Sequence, residues 1–288
     1  MKTSYVTTIS LDEDRLAKDL AQAETFRYSE AYSNYLIGGP WKNAMLWAAG
    51  GDTGTGLVTE YAYEQRPTFT DYGARLPYLQ DIITTVADPD LLQFVRLAVV
   101  SDSVIIPHRD YLELGELPED QRPAHRLHIP LITHDNCFFS EDNTVYRMRA
   151  GEVWYFDAAQ VHSVASFDRK ARIHLIFDFA DRPDAGPMLR LTSANSGDRF
   201  PAESRITRPA LPDSRRQELR RLADLLTIDN YRDVFSLVIK THFRFDGGED
   251  FAWDTMTALA RACPDPLVLP QILELRQYFT LDRSDSKE

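Results

Sequence analysis

The sequence predicts an α+β fold: an antiparallel sandwich or jelly roll flanked by N-terminal helices and followed by a small C-terminal helical domain. Three observations predict it. From Gln93 to Phe179 the chain is a series of short β-rich runs: Gln93 to Val100, Ser103 to Ile106, Leu127 to Ile132, Thr144 to Met148, Val153 to Phe156 and Ile173 to Phe179. Turn residues separate them, among them Asp135-Asn136, Asp142-Asn143 and Ala150-Gly151, as in antiparallel sandwiches and jelly rolls. Beyond Pro212 the texture becomes helical, with Leu219, Leu222 and Leu226 on one stripe of a charged segment.

In chain order, Tyr5 to Ile9 reads as a strand. Ser10 is the expected cap of a helix whose first turn holds Asp12, Glu13 and Asp14, where the helix dipole favours carboxylates. Leu16 and Leu20 share one face of it. A turn-rich stretch, Ile37 to Pro40, leads to Trp41-Lys42-Asn43-Ala44-Met45-Leu46-Trp47, and Gly50 to Gly54 marks a loop. Pro77 suits the first turn of a helix carrying Leu79, Ile82, Ile83 and Val86 that stops near Pro89. After the β-rich region, a Pro-, Gly- and Asp-containing stretch to about Pro212 reads as a linker. Ser214 to Leu226, Tyr231 to Thr241, Phe251 to Ala262 and Val268 to Tyr278 then read as helices. The expected division is 1–195 for the jelly roll with its N-terminal helices and 210–288 for the helical domain.

At 288 residues the chain can bury one large core or one core with an appendage. Its net charge of −12 argues against nucleic acid and anionic membrane as partners, since both select clustered positive charge. Two cysteines, Cys137 and Cys263, make no disulfide framework and fit a reducing cytosol. No apolar run reaches the roughly 18 residues of a membrane span, and Met1 to Val6 lacks the apolar core of a signal peptide. The expectation is a cytoplasmic protein.

The functional signal begins at Val104 to Asp110, an apolar run ending in His108-Arg109-Asp110. Side chains two apart on a strand leave the same face, so His108 and Asp110 can enter one cavity. They would be two-thirds of a 2-His-1-carboxylate triad, which holds non-haem Fe(II) and leaves positions open. A strand-end histidine beside a surface aspartate is the bland alternative. His162, after a tight turn and the aromatic run Val153 to Phe156, is the candidate third ligand, or else a structural histidine. Arg172 begins the next apolar run; it either faces the same cavity or belongs to the surface with Arg169 and Lys170. Arg126 and His128 form a further basic pair at strand spacing.

These residues carry a resemblance. The chain resembles the bacterial free L-proline cis-3- and cis-4-hydroxylases, within the aspartyl/asparaginyl β-hydroxylase superfamily of Fe(II)- and 2-oxoglutarate-dependent oxygenases. The likeness rests on Leu76-Pro77-Tyr78-Leu79, Ile105 to Glu113, Met148 to Ser163, Trp41-Lys42-Asn43 and the helical C-terminal region, nearly the whole chain. It implies a cupin-like double-stranded β-helix. It also implies His108, Asp110 and His162 as iron ligands, Arg172 on the far carboxylate of 2-oxoglutarate, and His128 at the iron-proximal end of that cosubstrate. Arg126 and Arg96 would hold the carboxylate of a free amino acid, proline or pipecolate, with Glu113 a candidate for its ammonium or a solvated loop charge. Cofactors implied are Fe(II), 2-oxoglutarate and O2, with ascorbate as reductant in vitro.

The sequence departs from the pattern at Ala98, where a second arginine is expected two residues after Arg96, and in a longer Leu114 to Ala124 loop. Both changes bear on the substrate. Trp154 and Tyr155 read as core packing or as a wall of the site; His125, His134 and His174 read as structural or surface residues. Rival readings are an acyclic free amino acid, a peptide side-chain β-hydroxylase, and a cupin-like metal-binding module. A bare metal module would have no use for Arg172. The oligomeric state stays open, a homo-oligomer included.

Overall fold

A computed structural model describes residues 2–31, 36–38, 41–110, 123–180, 188–192 and 199–280. Its strands in chain order are β1 (Ser4–Thr8), β2 (Leu36–Gly38), β3 (Trp41–Ala49), β4 (Pro67–Phe69), β5 (Leu92–Val100), β6 (Ser103–Ile105), β7 (Pro123–Ile132), β8 (Cys137–Glu141), β9 (Thr144–Tyr146), β10 (Glu152–Phe156), β11 (His162–Ser166), β12 (Arg172–Ala180) and β13 (Arg205–Ile206). The helices are α1 (Glu13–Ala23), α2 (Asp71–Ala74), α3 (Pro77–Val86), α4 (Asp213–Arg221), α5 (Tyr231–Arg244), α6 (Phe251–Ala262) and α7 (Val268–Thr280). The ladders between these strands are antiparallel. A seven-stranded sheet runs β1-β10-β7-β12-β5-β3-β4 and a six-stranded sheet runs β13-β9-β8-β11-β6-β2, the two layers of a jelly roll.

The alternation of side chains along the strands assigns the two faces of the large sheet. Leu127, Ile129 and Leu131 of β7, Leu175, Phe177 and Phe179 of β12, and Val95 and Leu97 of β5 share one apolar cluster with Leu16 of α1 and Leu79, Ile82 and Ile83 of α3. That is the outer face. The intervening positions, Arg126 and His128, Arg172, His174 and Asp178, and Arg96 and Ala98, turn inward because successive side chains alternate. An apolar outer face covered by helices leaves the inner face to carry the polar groups.

The C-terminal helices pack on the small sheet. Val104, Ile105, Phe138 and Val164 share a core with Phe235, Val238 and Phe243 of α5 and Trp253 and Met256 of α6. Burial of this kind contributes on the order of 1.5–3 kcal/mol per large apolar side chain. Among the described residues, no helix is long and apolar enough to cross a membrane.

Several local expectations change. Asp12, not Ser10, caps α1, its carboxylate accepting from the Arg15 amide at 3.0 Å. Within the turn-rich stretch, Leu36–Gly38 forms β2. Trp41–Ala49, Cys137–Glu141 and His162–Ser166 are strands that periodicity did not isolate: all five residues of β8 and of β11 are buried, so neither alternates. The Gly39-Pro40 end of the turn-rich stretch, residues 181–187 and 193–198 of the expected linker, most of the Leu114 to Ala124 loop and the tail beyond 280 fall outside the described residues.

Candidate active site

His108 and His162 meet through the backbone. They form an isolated antiparallel bridge, exchanging two hydrogen bonds of 2.9 Å between their amides and carbonyls. Directly opposed residues of an antiparallel pair project to the same side, and the two rings lie 4.3 Å apart between centroids. Asp110, two residues on, is set by its amide donating to the Ala158 carbonyl at 2.9 Å. The C-terminal helices grip the same segment: the Trp253 indole donates to the Pro107 carbonyl at 3.1 Å and the Arg109 amide to the Phe279 carbonyl at 2.9 Å. Both residues flanking His108 are thus tied to α6 and α7.

The histidines present one nitrogen each. Nδ1 of His108 lies 2.6 Å from the Ile106 carbonyl and Nδ1 of His162 lies 2.9 Å from the Gln160 carbonyl. A carbonyl only accepts, so each Nδ1 carries a proton and each ring turns its Nε2 toward Asp110. Those Nε2 atoms lie 2.9 and 4.0 Å from Oδ1 of Asp110. These three ligand atoms lie within 4.8 Å of one another, close enough to hold one metal ion. Two imidazoles oriented by backbone carbonyls and one carboxylate fit a divalent transition metal and leave its other positions open. Burial, aided by His108, pushes His162 down to about 3, so the neutral, ligating form is the one the site favours.

A buried ion chain supports the carboxylate. Arg126 donates from Nη1 to Oδ2 of Asp110 and from Nε to Oδ1 of Asp178 at 2.6 Å, and Arg96 donates to Oδ2 of Asp178 at 2.8 Å. Burial opposes ionisation of Asp110, but Arg126 and His108 outweigh it and hold its carboxyl well below the usual range. Asp178 is one residue that sequence reasoning missed. It lies in the apolar run Ile173 to Phe179, and its alternate, inward position opposite Arg126 was the only available signal.

Arg172 is different. Among the described residues no carboxylate pairs with it, its Nε has no hydrogen-bond partner, and its guanidinium lies 4.8 Å over the Phe139 ring. Burial pushes it down to about 10. His128, stacked on Phe156 at 4.6 Å, and His174, edge-on to His128 at 5.6 Å, are buried with both ring nitrogens unpartnered, and burial drives both well below the usual histidine range. The Tyr146 hydroxyl is also buried and unpartnered. Buried polar groups without partners cost about 1–3 kcal/mol each, and a charged arginine among neutral donors has the chemistry that suits an anion. His174 is therefore not a surface residue, and Tyr146 is an addition. Trp154 is fully buried, packed against Tyr146 at 5.7 Å, in keeping with core packing. Glu113 lies outside the described residues.

Comparison with known proteins places this geometry. Residues 190–288 match the C-terminal region of L-proline 3-hydroxylase, and residues 4–182 match aspartyl/asparaginyl beta-hydroxylase. The chain is 31% identical over 284 residues to L-proline cis-3-hydroxylase 1 of a Streptomyces species, covering 96% of this chain and 94% of that protein. It is 28% identical over 280 residues to L-proline cis-4-hydroxylase of Rhizobium meliloti (strain 1021), covering 97% and 96% respectively. With a match over residues 4–182 and a full-length relative at 31% identity, the chain belongs to the aspartyl/asparaginyl β-hydroxylase family.

Proposed function

We propose that this protein is an Fe(II)- and 2-oxoglutarate-dependent hydroxylase of a free cyclic imino acid, L-proline or its six-membered homologue L-pipecolate. His108, Asp110 and His162 would hold the iron. When bound, iron, 2-oxoglutarate and O2 supply the oxidising chemistry, with succinate and CO2 as co-products and ascorbate as reductant in the assay.

The observation that carries the reading is the buried guanidinium of Arg172, which no carboxylate pairs with among the described residues. A metal-binding module gains nothing from such a charge, whereas a dicarboxylate whose far end meets Arg172 satisfies it with two parallel hydrogen bonds. His128, His174 and Tyr146 add neutral donors around the same ligand. Arg126 would orient Asp110 through Oδ2 and, with the rest of its five N–H donors, contribute with Arg96 to the amino-acid carboxylate. The names of the full-length relatives favour a cyclic imino acid over an acyclic one or a peptide.

The test is Arg172→Lys. It keeps the charge and loses the two-pronged geometry, so the KM for 2-oxoglutarate rises about tenfold or more while the amino-acid KM stays within about twofold. An unchanged 2-oxoglutarate response removes Arg172 from the cosubstrate site.

A further inference from the structure

Asn43 is buried inside β3, 3% exposed, and neither its Oδ1 nor its Nδ2 has a hydrogen-bond partner. Its backbone is fully engaged: it pairs with Ala98 of β5 on one side and exchanges amide–carbonyl bonds of 2.8 and 2.9 Å with Ser29 on the other. The side chain alone is orphaned. The ladder fixes where it points. Asn43 opposes Ala98 and Met45 opposes Arg96, while Ala44 and Leu46 belong to the outer cluster. Asn43 therefore lies on the inner face, in one row with Ala98 and, beyond it, His174, which opposes Ala98 from β12. Arg96 is its diagonal neighbour, a separation of about 7–8 Å that long side chains span, and the Arg96 Nε is itself without a partner.

Ala98 at the centre of this group contributes only a methyl. The methyl is thus flanked on the inner face of the large sheet by an unpaired amide, an incompletely paired guanidinium and an unpaired imidazole. Keeping an amide buried with both ends unsatisfied is costly unless a ligand or an ordered water completes it.

We propose that Asn43 is a substrate-binding residue that recognises the zwitterionic head of the amino acid. This rests on the hydroxylase reading above and extends it to a residue nothing so far assigns. A carboxamide carries one acceptor and two donors. Oδ1 accepts from the substrate's ring ammonium, and Nδ2 donates to its carboxylate, whose other oxygen faces Arg96. A second arginine at position 98 would supply charge for the carboxylate but nothing for the ammonium. Ala98 with Asn43 supplies a neutral group that serves both, so Asn43 selects an N–H bearing ring over its oxygen analogue.

The experiment compares wild type, Asn43→Ala and Asn43→Ser with iron, 2-oxoglutarate and either L-proline, L-pipecolate or tetrahydrofuran-2-carboxylate, which keeps the carboxylate and replaces the ring nitrogen by oxygen. Expected is a roughly ten- to hundredfold rise in the imino-acid KM, with the 2-oxoglutarate KM within about twofold of wild type. The preference for the imino acid over the oxygen analogue falls by a similar factor, and the imino acid no longer raises the Tm of the iron-loaded variant as it does wild type. The Tm without amino acid does not drop, because the orphaned amide has no protein partner to lose. Unchanged KM and unchanged preference in the folded variants would overturn the assignment and leave a buried water as the partner of Asn43. A lower ligand-free Tm with both KM values rising together would make Asn43 structural and overturn it equally. Failure of the underlying hydroxylase reading looks different: wild type itself forms no succinate with either imino acid.

Discussion

Arg126 donates to one oxygen of Asp110 while the other oxygen faces the Nε2 atoms of His108 and His162. The carboxylate is therefore divided between Arg126 and the two histidines, and a metal held by His108, Asp110 and His162 would meet Oδ1. Arg126→Lys retains the charge but cannot reach Asp178 and Asp110 together. The expected result is a drop in hydroxylated product per succinate formed, with at least a roughly tenfold loss of kcat for hydroxylation, as misplacement by about 1 Å brings. Product and succinate counted in the same reaction check it; unaltered coupling would mean that Arg126 does not orient the site.

Trp253 ties α6 to the segment that carries His108. Its indole bond to the Pro107 carbonyl sits one residue before His108. Trp253→Phe keeps the ring's packing against Phe235 and removes the donor, costing about 0.5–1.5 kcal/mol of stability. The larger effect is on the metal: its dissociation constant should rise about tenfold, within the range that supporting partners contribute. Titration of the folded variant with Co(II) or Fe(II) reads this directly. An unchanged metal affinity would reduce α6 to a covering for the small sheet.

His242 is one of several buried histidines expected to weaken the fold in acid. Burial, with Arg208 adding to it, pushes this α5 histidine down to about 4, whereas the unfolded chain titrates near about 6.5. The unfolded state thus binds the proton first. The stabilising difference is complete above about pH 6.5 and is lost as pH falls from there through about 4, by at most about 3 kcal/mol. Denaturant titrations across this window should show stability declining with acidification, and His242→Leu should flatten the slope. A wild-type slope that the variant reproduces would assign the pH dependence to other groups.

Much of the site was legible because its signals are local. His108 and Asp110 are two apart at the end of an apolar run, and His162 and Arg172 stand at strand starts. The alternation of Ile173, Leu175, Phe177 and Phe179 puts Arg172, His174 and Asp178 together on the other face of β12, but whether that face meets solvent or a cavity is not written in the strand itself. Partnerships across strands were not legible. Nothing in the sequence near Asp178 says that Arg96 and Arg126 both converge on it, because strand register is a long-range property of the sheet. His174 was indistinguishable from a surface histidine for the same reason. The fully buried β8 and β11 have no alternation to detect, and the contact of Trp253 with Pro107 spans 146 residues of sequence.

The most direct measurement of the central claim is succinate release and mass gain on a panel of free amino acids with Fe(II), ascorbate and 2-oxoglutarate, run beside His108→Ala, Asp110→Ala and His162→Ala. The account predicts that L-proline or L-pipecolate gains one oxygen atom with roughly one succinate formed per product. It predicts too that each ligand variant, still folded, loses this activity, since a weakly held Fe(II) does not survive the loss of one of three ligands. Hydroxylation surviving near wild-type rates in any of the three variants, or no amino-acid-dependent succinate from the wild type, would contradict it.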